Sequence, residues 1–206
     1  MKKISAILIL LVSLFVASPA AHAEFRWGAT AGINVSNLHF KQDLIDLDQT
    51  IGYSAGVIGE NMFPGIGFGI DFGFLYNQTG GIAKLGQKEI WSSLGYGNER
   101  IYLHQLSIPL HLRFKYTRLN GLEDRIAPFV FGGPEFNFKL ANSKCDAIKY
   151  SGGDLGLTVG AGAELYKRWQ VSAAYTWGMT YVLKTKLLDD FSAQTRQWTV
   201  RVAYFF

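Results

Sequence analysis

The chain has 206 residues, with 20 basic and 16 acidic side chains and a formal net charge of +4. Its basic residues are scattered rather than gathered on one face, which argues against a nucleic-acid partner. The 23 glycines, with 15 Phe, 10 Tyr and 5 Trp but only 5 prolines, disfavour helices. A mean hydropathy of +0.10 is far from that of a helical membrane protein, yet a barrel that spends half of each strand on its lumen has such a balance.

Met1-Lys2-Lys3 is a short positive start, and the apolar run Ile4 to Val16 follows it. Ser18-Pro19 breaks the run, and Ala21-His22-Ala23 suits a small-x-small cleavage site. This pattern reads as a signal peptide over residues 1–23, with one mature domain over 24–206. The apolar stretch is shorter than the ~20 residues of a spanning helix. The single cysteine, Cys145, has no partner for an internal disulfide and falls in an expected loop.

From Phe25 onward the chain alternates at period two, the signature of half-buried strands. In the first strand Phe25, Trp27, Ala29, Ala31 and Ile33 oppose Arg26, Gly28, Thr30, Gly32 and Asn34. The second, from Ile51, sets Tyr53, Ala55 and Val57 against Gly52, Ser54, Gly56 and Glu60, and Phe63-Pro64-Gly65 makes a tight turn. In the third, Ile66, Phe68, Ile70, Phe72, Phe74 and Tyr76 alternate with glycines, Asp71 and Asn77. The fourth sends Tyr102, Leu106, Ile108, Leu110, Leu112, Phe114 and Tyr116 outward, and Gln105, Ser107, Pro109, His111, Arg113 and Lys115 inward. Pro109 cannot donate to a ladder, so a bulge is expected there. The fifth, Ile126 to Leu140, reads as a strand that switches faces. Phe129 and Phe131 are odd, Phe136 and Phe138 even, with Gly132-Gly133-Pro134 between them as a bulge site. The sixth sets the odd residues Leu155 to Leu165 against Asp154, Gly156, Thr158, Gly160, Gly162 and Glu164. The seventh sets Trp169, Val171, Ala173, Tyr175 and Trp177 against Gln170, Ser172, Ala174, Thr176 and Gly178. The eighth sets Trp198, Val200, Val202, Tyr204 and Phe206 against Gln197, Thr199, Arg201, Ala203 and Phe205.

Connections alternate in length. Long ones run from Val35 to Thr50, Gln78 to Arg100, Lys139 to Gly153 and Thr180 to Thr195; shorter ones span Met62 to Gly65, Thr117 to Arg125 and Tyr166 to Arg168. Eight strands with this asymmetry indicate an all-β, antiparallel, up-and-down transmembrane barrel, its long loops outside the cell and its turns in the periplasm. Outward Trp27, Trp169, Tyr175, Trp177, Tyr181, Trp198 and Tyr204 lie near strand ends, as interfacial girdles do.

Such a barrel encloses a lumen that side chains largely fill. Arg26, Glu60, Asp71, Arg113, Lys115, Glu164 and Arg201 face inward toward the turn end, where four cations and three carboxylates should pair. Asp71 and Arg113, on adjacent strands at similar depth, form the best candidate for direct contact. Above them the lumen is expected to be uncharged and small, lined by Thr30, Asn34, Ser54, Asn77, Ser107, Thr158 and Thr176. The charge set reads as a polar core that holds strand register, or alternatively as an ion-selective constriction. A catalytic site would need a histidine beside a serine and a carboxylate at the outer rim. His104, with Ser92, Ser93 and Glu99 before it, is the nearest approach, and no spacing ties these together. No His or Cys cluster has metal-ligand spacing, and the glycines alternate within strands instead of cradling phosphate. No catalytic residue, metal or cofactor is expected.

Tyr102-Leu103-His104-Gln105-Leu106-Ser107-Ile108-Pro109-Leu110, ending Phe114-Lys115-Tyr116, resembles a strand of the PorT-like outer-membrane barrel family. Ala127 to Pro134, Asp154 to Leu165 and Tyr175 to Thr180 resemble its later strands. The alternation Trp198, Val200, Val202, Tyr204, Phe206 is similar to the C-terminal signal that outer-membrane barrels present to their assembly machinery. The resemblance implies a small barrel in the bacterial outer membrane, in contact with lipid and lipopolysaccharide and with the barrel assembly machinery during biogenesis. It assigns no functional residue. Three functions are then open: an integral protein of structural or interaction type without a general diffusion pore, a component of a protein-secretion apparatus, or a lipid A-modifying enzyme.

Overall fold

The computed structural model describes residues 24–40, 47–63, 65, 67–84, 98–116, 121–143, 148–181, 183–185 and 192–206. The proposed leader (1–23), Pro64, Ile66, Ser92, Ser93 and Cys145 lie outside them. In chain order the strands are β1 (Glu24–Phe40), β2 (Leu47–Asp48), β3 (Thr50–Met62), β4 (Phe68–Lys84), β5 (Asn98–Lys115) and β6 (Ile126–Asn142). They continue with β7 (Ile148–Tyr150), β8 (Gly153–Leu165), β9 (Trp169–Gly178), β10 (Leu183–Thr185) and β11 (Ser192–Phe205). Among the described residues the eight long strands pair with their neighbours in chain order, and β11 returns to β1, so the sheet is closed and antiparallel throughout. Closure leaves no unpaired sheet edge around the wall, as a structure in hydrocarbon requires.

The registers fix the stagger. Following partners from Glu24 leads through Met62, Gly69, Arg113, Phe131, Gly160, Ala174 and Thr199 back to β1 at Asn34, ten residues further on: a shear of ten. Strands in such a barrel are strongly tilted, so two residues at the same height are not partners on the same rung.

The strands run further than their sequence pattern suggests. β1 continues to Phe40, β4 to Lys84 and β6 to Asn142, into stretches read as loops, while β2 adds to β4, and β7 and β10 extend the sheet beyond β11. At the opposite end the connections are tight. Tyr166 and Lys167 turn at φ 51° and 60°, positive values that L-residues seldom adopt, and the Arg168 amide donates to Leu165 O at 3.2 Å.

Two sequence expectations are corrected. Pro109 makes no bulge: β4–β5 pairing stops at Phe72–Leu110 and resumes at Leu75–Ser107, and β5–β6 stops at Pro109–Glu135 and resumes at Leu112–Gly132, both in unchanged register. The proline costs rungs without inserting a residue. The register shift lies instead between His104 and Gln105. Nor does β6 switch faces. Phe129 and Phe131 are buried in the lumen, with Glu135 and Asn137 following them on the same side, while Val130, Phe136 and Phe138 face outward. Across the rung from the two rings stand Gly162 and Gly160. A Cβ at Gly160 would lie 2.4 Å from Phe131 Cζ, and one at Gly162 2.6 Å from Phe129 Cζ. The missing side chains are what make room for the rings.

Gly160→Val and Gly162→Val are therefore expected to destabilise the barrel by ~1–3 kcal/mol each through overpacking. Gly152→Ala, where an added Cβ meets nothing within 4 Å, should leave stability unchanged. Urea midpoints of the refolded proteins check both, and an unaltered midpoint for Gly160→Val would contradict an inward Phe131.

Candidate functional site

Six charged residues of the lumen, Arg26, Glu60, Asp71, Arg113, Lys115 and Glu164, belong to five different strands, and the barrel brings them, with Gln170 of a sixth, to one level near the turn end. Glu60 on β3 is the hub. Its Oε1 accepts from Arg26 Nη2 at 2.8 Å and Lys115 Nζ at 2.6 Å. Its Oε2 accepts from Arg113 Nη1 at 3.0 Å and Gln170 Nε2 at 2.7 Å. Glu164 Oε2 shares three of these donors: Arg26 at 2.6 Å, Lys115 at 2.9 Å and Gln170 at 2.9 Å. Asp71 Oδ2 accepts from Arg113 Nε and Nη2, both at 2.7 Å. Arg26 also reaches the Lys167 carbonyl of the tight turn at 2.6 Å.

Three cations and three carboxylates make a neutral set, and Glu60 within it is fully buried. Each ion loses several kcal/mol of hydration on entry, and the multiple charge-assisted hydrogen bonds are what offset that loss. Aromatic rings border the set. The Arg113 guanidinium carbon lies 4.0 Å from the centroid of Phe129, and that of Arg26 lies 5.0 Å from Phe205, which is 1% exposed. Rings beside the guanidinium groups add cation–π attraction and exclude water that would weaken the ion pairs.

Six of the seven charged residues expected at this end are thus joined; Arg201 is not. It stands across from Gly32 and Ser172, four residues up β11 from Phe205, or about 13 Å along the strand. Its aliphatic stem lies over Gly32, and Arg201 Nε has no hydrogen-bond partner. The same small cavity, about 50 Å³, is lined by Arg201, Asp71 and His111. Asp71 Oδ1 and His111 Nε2 are likewise without partners.

The upper lumen also differs from expectation, because it is not uncharged. Glu135 is buried and accepts from Thr158 Oγ1 at 3.0 Å. Asp154 accepts from Gln105 Nε2 at 2.7 Å and Asn137 Nδ2 at 3.1 Å. Neither has an ion-pair partner among the described residues. Around them runs a chain of neutral contacts, including Asn34 to Asn77 at 2.6 Å and Ser107 to Asn137 at 2.5 Å. Parity places Gln170 in the lumen but does not show that it binds both Glu60 and Glu164. The tight Tyr166–Arg168 connection was the available signal, since it sets Gln170 directly across from Glu164.

The catalytic alternative gains no geometry. His104 Nδ1 bonds the Tyr76 hydroxyl at 2.5 Å on the outer side of the wall, and Ser92 and Ser93 fall outside the described residues. His111 is buried in the lumen against Phe131, ring centroids 5.3 Å apart. No group of three or more His, Cys, Asp or Glu suited to a metal occurs among the described residues.

The outside completes the picture. Ile33, Ile51, Leu112, Val130, Val159, Val200 and their neighbours form an exposed apolar belt. Trp169 and Tyr204 pack edge-on at 4.9 Å near its turn end, and Tyr175 and Trp198 at 4.8 Å near the other. Residues 17–184 match the family described as outer membrane protein beta-barrel domain. The chain belongs to that family. This outer-membrane β-barrel is similar in fold to OprG of Pseudomonas aeruginosa, with a TM-score of 0.54 and 12% identity over 90% of this chain and 98% of that one. Neisserial surface protein A, NspA, aligns with a TM-score of 0.49 and 12% identity over 88% of this chain and 97% of its own. No curated protein matches the chain in sequence. The apolar belt of the outer-membrane barrel is accordingly its lipid-facing surface, and the charge set is its interior.

Removing one partner of a buried ion pair typically costs ~3–5 kcal/mol. Asp71→Asn and Arg113→Met should each destabilise the barrel on that scale, and the double variant should cost less than the two together. Arg201→Met, which breaks no ion pair, should cost far less than Arg113→Met. Equal losses for the two arginines in urea titrations would contradict the observed pairing.

Proposed function

We propose that this outer-membrane barrel is a non-enzymatic integral protein of structural or interaction type, without a general diffusion pore. The observation that carries the reading is the Glu60-centred charge set, which joins β1, β3, β4, β5, β8 and β9 across the lumen near the turn end. Eight strands leave an interior only wide enough for side chains to fill, and here those side chains are tied to one another. A transport path through that level would have to separate buried ion pairs. Residues 1–23 act in this reading as a cleaved leader, and the residues from Trp198 to Phe206 as the assembly signal.

A second, finer reading rests on the PorT-like run from Tyr102 to Tyr116, which favours a place beside a protein-secretion apparatus. Crosslinked pull-down from the native membrane separates the two: co-purifying export components support the second, and an isolated barrel supports the first.

Planar-bilayer recordings of the unmodified protein are expected to show no large steady conductance. Fractionation should recover the protein in detergent-extracted outer membrane with heat-modifiable gel mobility, its N-terminus near Glu24. A stable, ion-selective channel that Asp71→Asn retunes without loss of stability would overturn the closed-lumen reading in favour of transport.

A further inference from the structure

The wall of the barrel is not uniformly convex. A groove of about 660 Å³ crosses its outer surface from β4 to β11. Gly132, Ala161 and Ala173 line it with little bulk of their own between Val130 and Val159; Ala161 and Ala173 are direct partners across the β8–β9 ladder. Phe114 stands along one wall, and Trp177 and Trp198 close the end nearer the long connections.

At that end stands Arg196. It is Trp177's partner across the β9–β11 ladder, lies two residues from Trp198 on the same face, and is exposed. Within the eight long strands it is the one Arg, Lys, Asp or Glu among outward-facing residues whose side chains are described. A cation on a lipid-facing wall is costly at the bilayer centre but favourable at the interface, where aromatic girdles and lipid phosphates lie. Arg196 thus marks the headgroup level, and the groove descends from it into hydrocarbon.

We propose that this groove is a binding site for an anionic lipid of the outer leaflet that carries a phosphomonoester, the phosphate held by Arg196 and one acyl chain laid along Ala173, Ala161 and Gly132. The proposal rests on the membrane location argued above. A second copy of the chain is the poorer occupant. A symmetric pair related by an axis along the membrane normal would bring residues of equal depth together, setting one Arg196 near the other.

The test uses the full chain refolded into phosphatidylcholine vesicles, with Trp27, Trp91 and Trp169 replaced by Phe so that Trp177 and Trp198 report. Phosphatidic acid with brominated acyl chains is the probe, and brominated phosphatidylcholine the reference. Phosphatidic acid is expected to quench with about fivefold higher apparent affinity, the factor carried by one interfacial basic residue. Arg196→Gln should abolish the preference. Ala161→Leu with Ala173→Leu should abolish it too, with Arg196 in place, because the chain then has no seat. Equal quenching by both lipids, or a preference that survives filling the groove, would overturn the site. Disulfide-linked dimers of an Ala173→Cys variant in which Cys145 is replaced by Ser would assign the groove to a second copy instead. Heat-modifiable mobility, checked for every variant, separates these outcomes from failure of the barrel itself.

Discussion

A carboxylate enclosed by a barrel wall must find its counter-charges inside that wall, and Glu60 is the carboxylate around which this interior is arranged. Each of its oxygens accepts two donors, and those donors come from β1, β5 and β9. Arg113 passes the constraint on to Asp71 and Gln170, and Lys115 to Glu164. Strand register follows from this. Sliding any contributing strand by one residue would turn its charge out into lipid and its apolar face into the lumen. Hydrophobic alternation alone also opposes such a slip, but the charge set penalises it at a specific depth.

The glycines serve the same interior. Arginine and lysine stems and two phenylalanine rings need volume that a narrow eight-stranded lumen does not otherwise have. Gly160 and Gly162 stand across from Phe131 and Phe129, and the Arg201 stem lies over Gly32. Phe129 in turn flanks the guanidinium group of Arg113, and Phe205 that of Arg26. Small residues on one strand thus permit bulky ones on the next, and the bulky ones dry the ion pairs. On the outer surface the same economy of side chains leaves a groove, because Gly132, Ala161 and Ala173 face hydrocarbon with little bulk of their own.

Two ends of the barrel have different chemistry as a result. Near the turns the lumen is crossed by paired ions. Toward the long connections it is lined by amides, hydroxyls and two carboxylates that are satisfied by neutral donors. The first arrangement resists opening, while the second presents polar groups to whatever enters from outside.

Alternation is a local property, so it was legible residue by residue. It places Arg26, Glu60, Asp71, Arg113, Lys115 and Glu164 in the lumen and Trp198, Val200, Val202 and Tyr204 on the lipid face, and tight turns make neighbouring strands antiparallel. The direction of Phe129 and Phe131 was not legible, because an aromatic ring is equally at home in hydrocarbon and against a guanidinium. Only the glycines across the rung decide it. The fate of Arg201 was not legible either. Inward parity does not give height, and height around a tilted barrel depends on a shear of ten that exists only once β11 has closed on β1. Sequence by itself determined which face most residues take, Phe129 and Phe131 apart, since a strand's period of two is a local property. The tertiary structure decided which residues meet, since that depends on how the whole sheet is staggered when it closes.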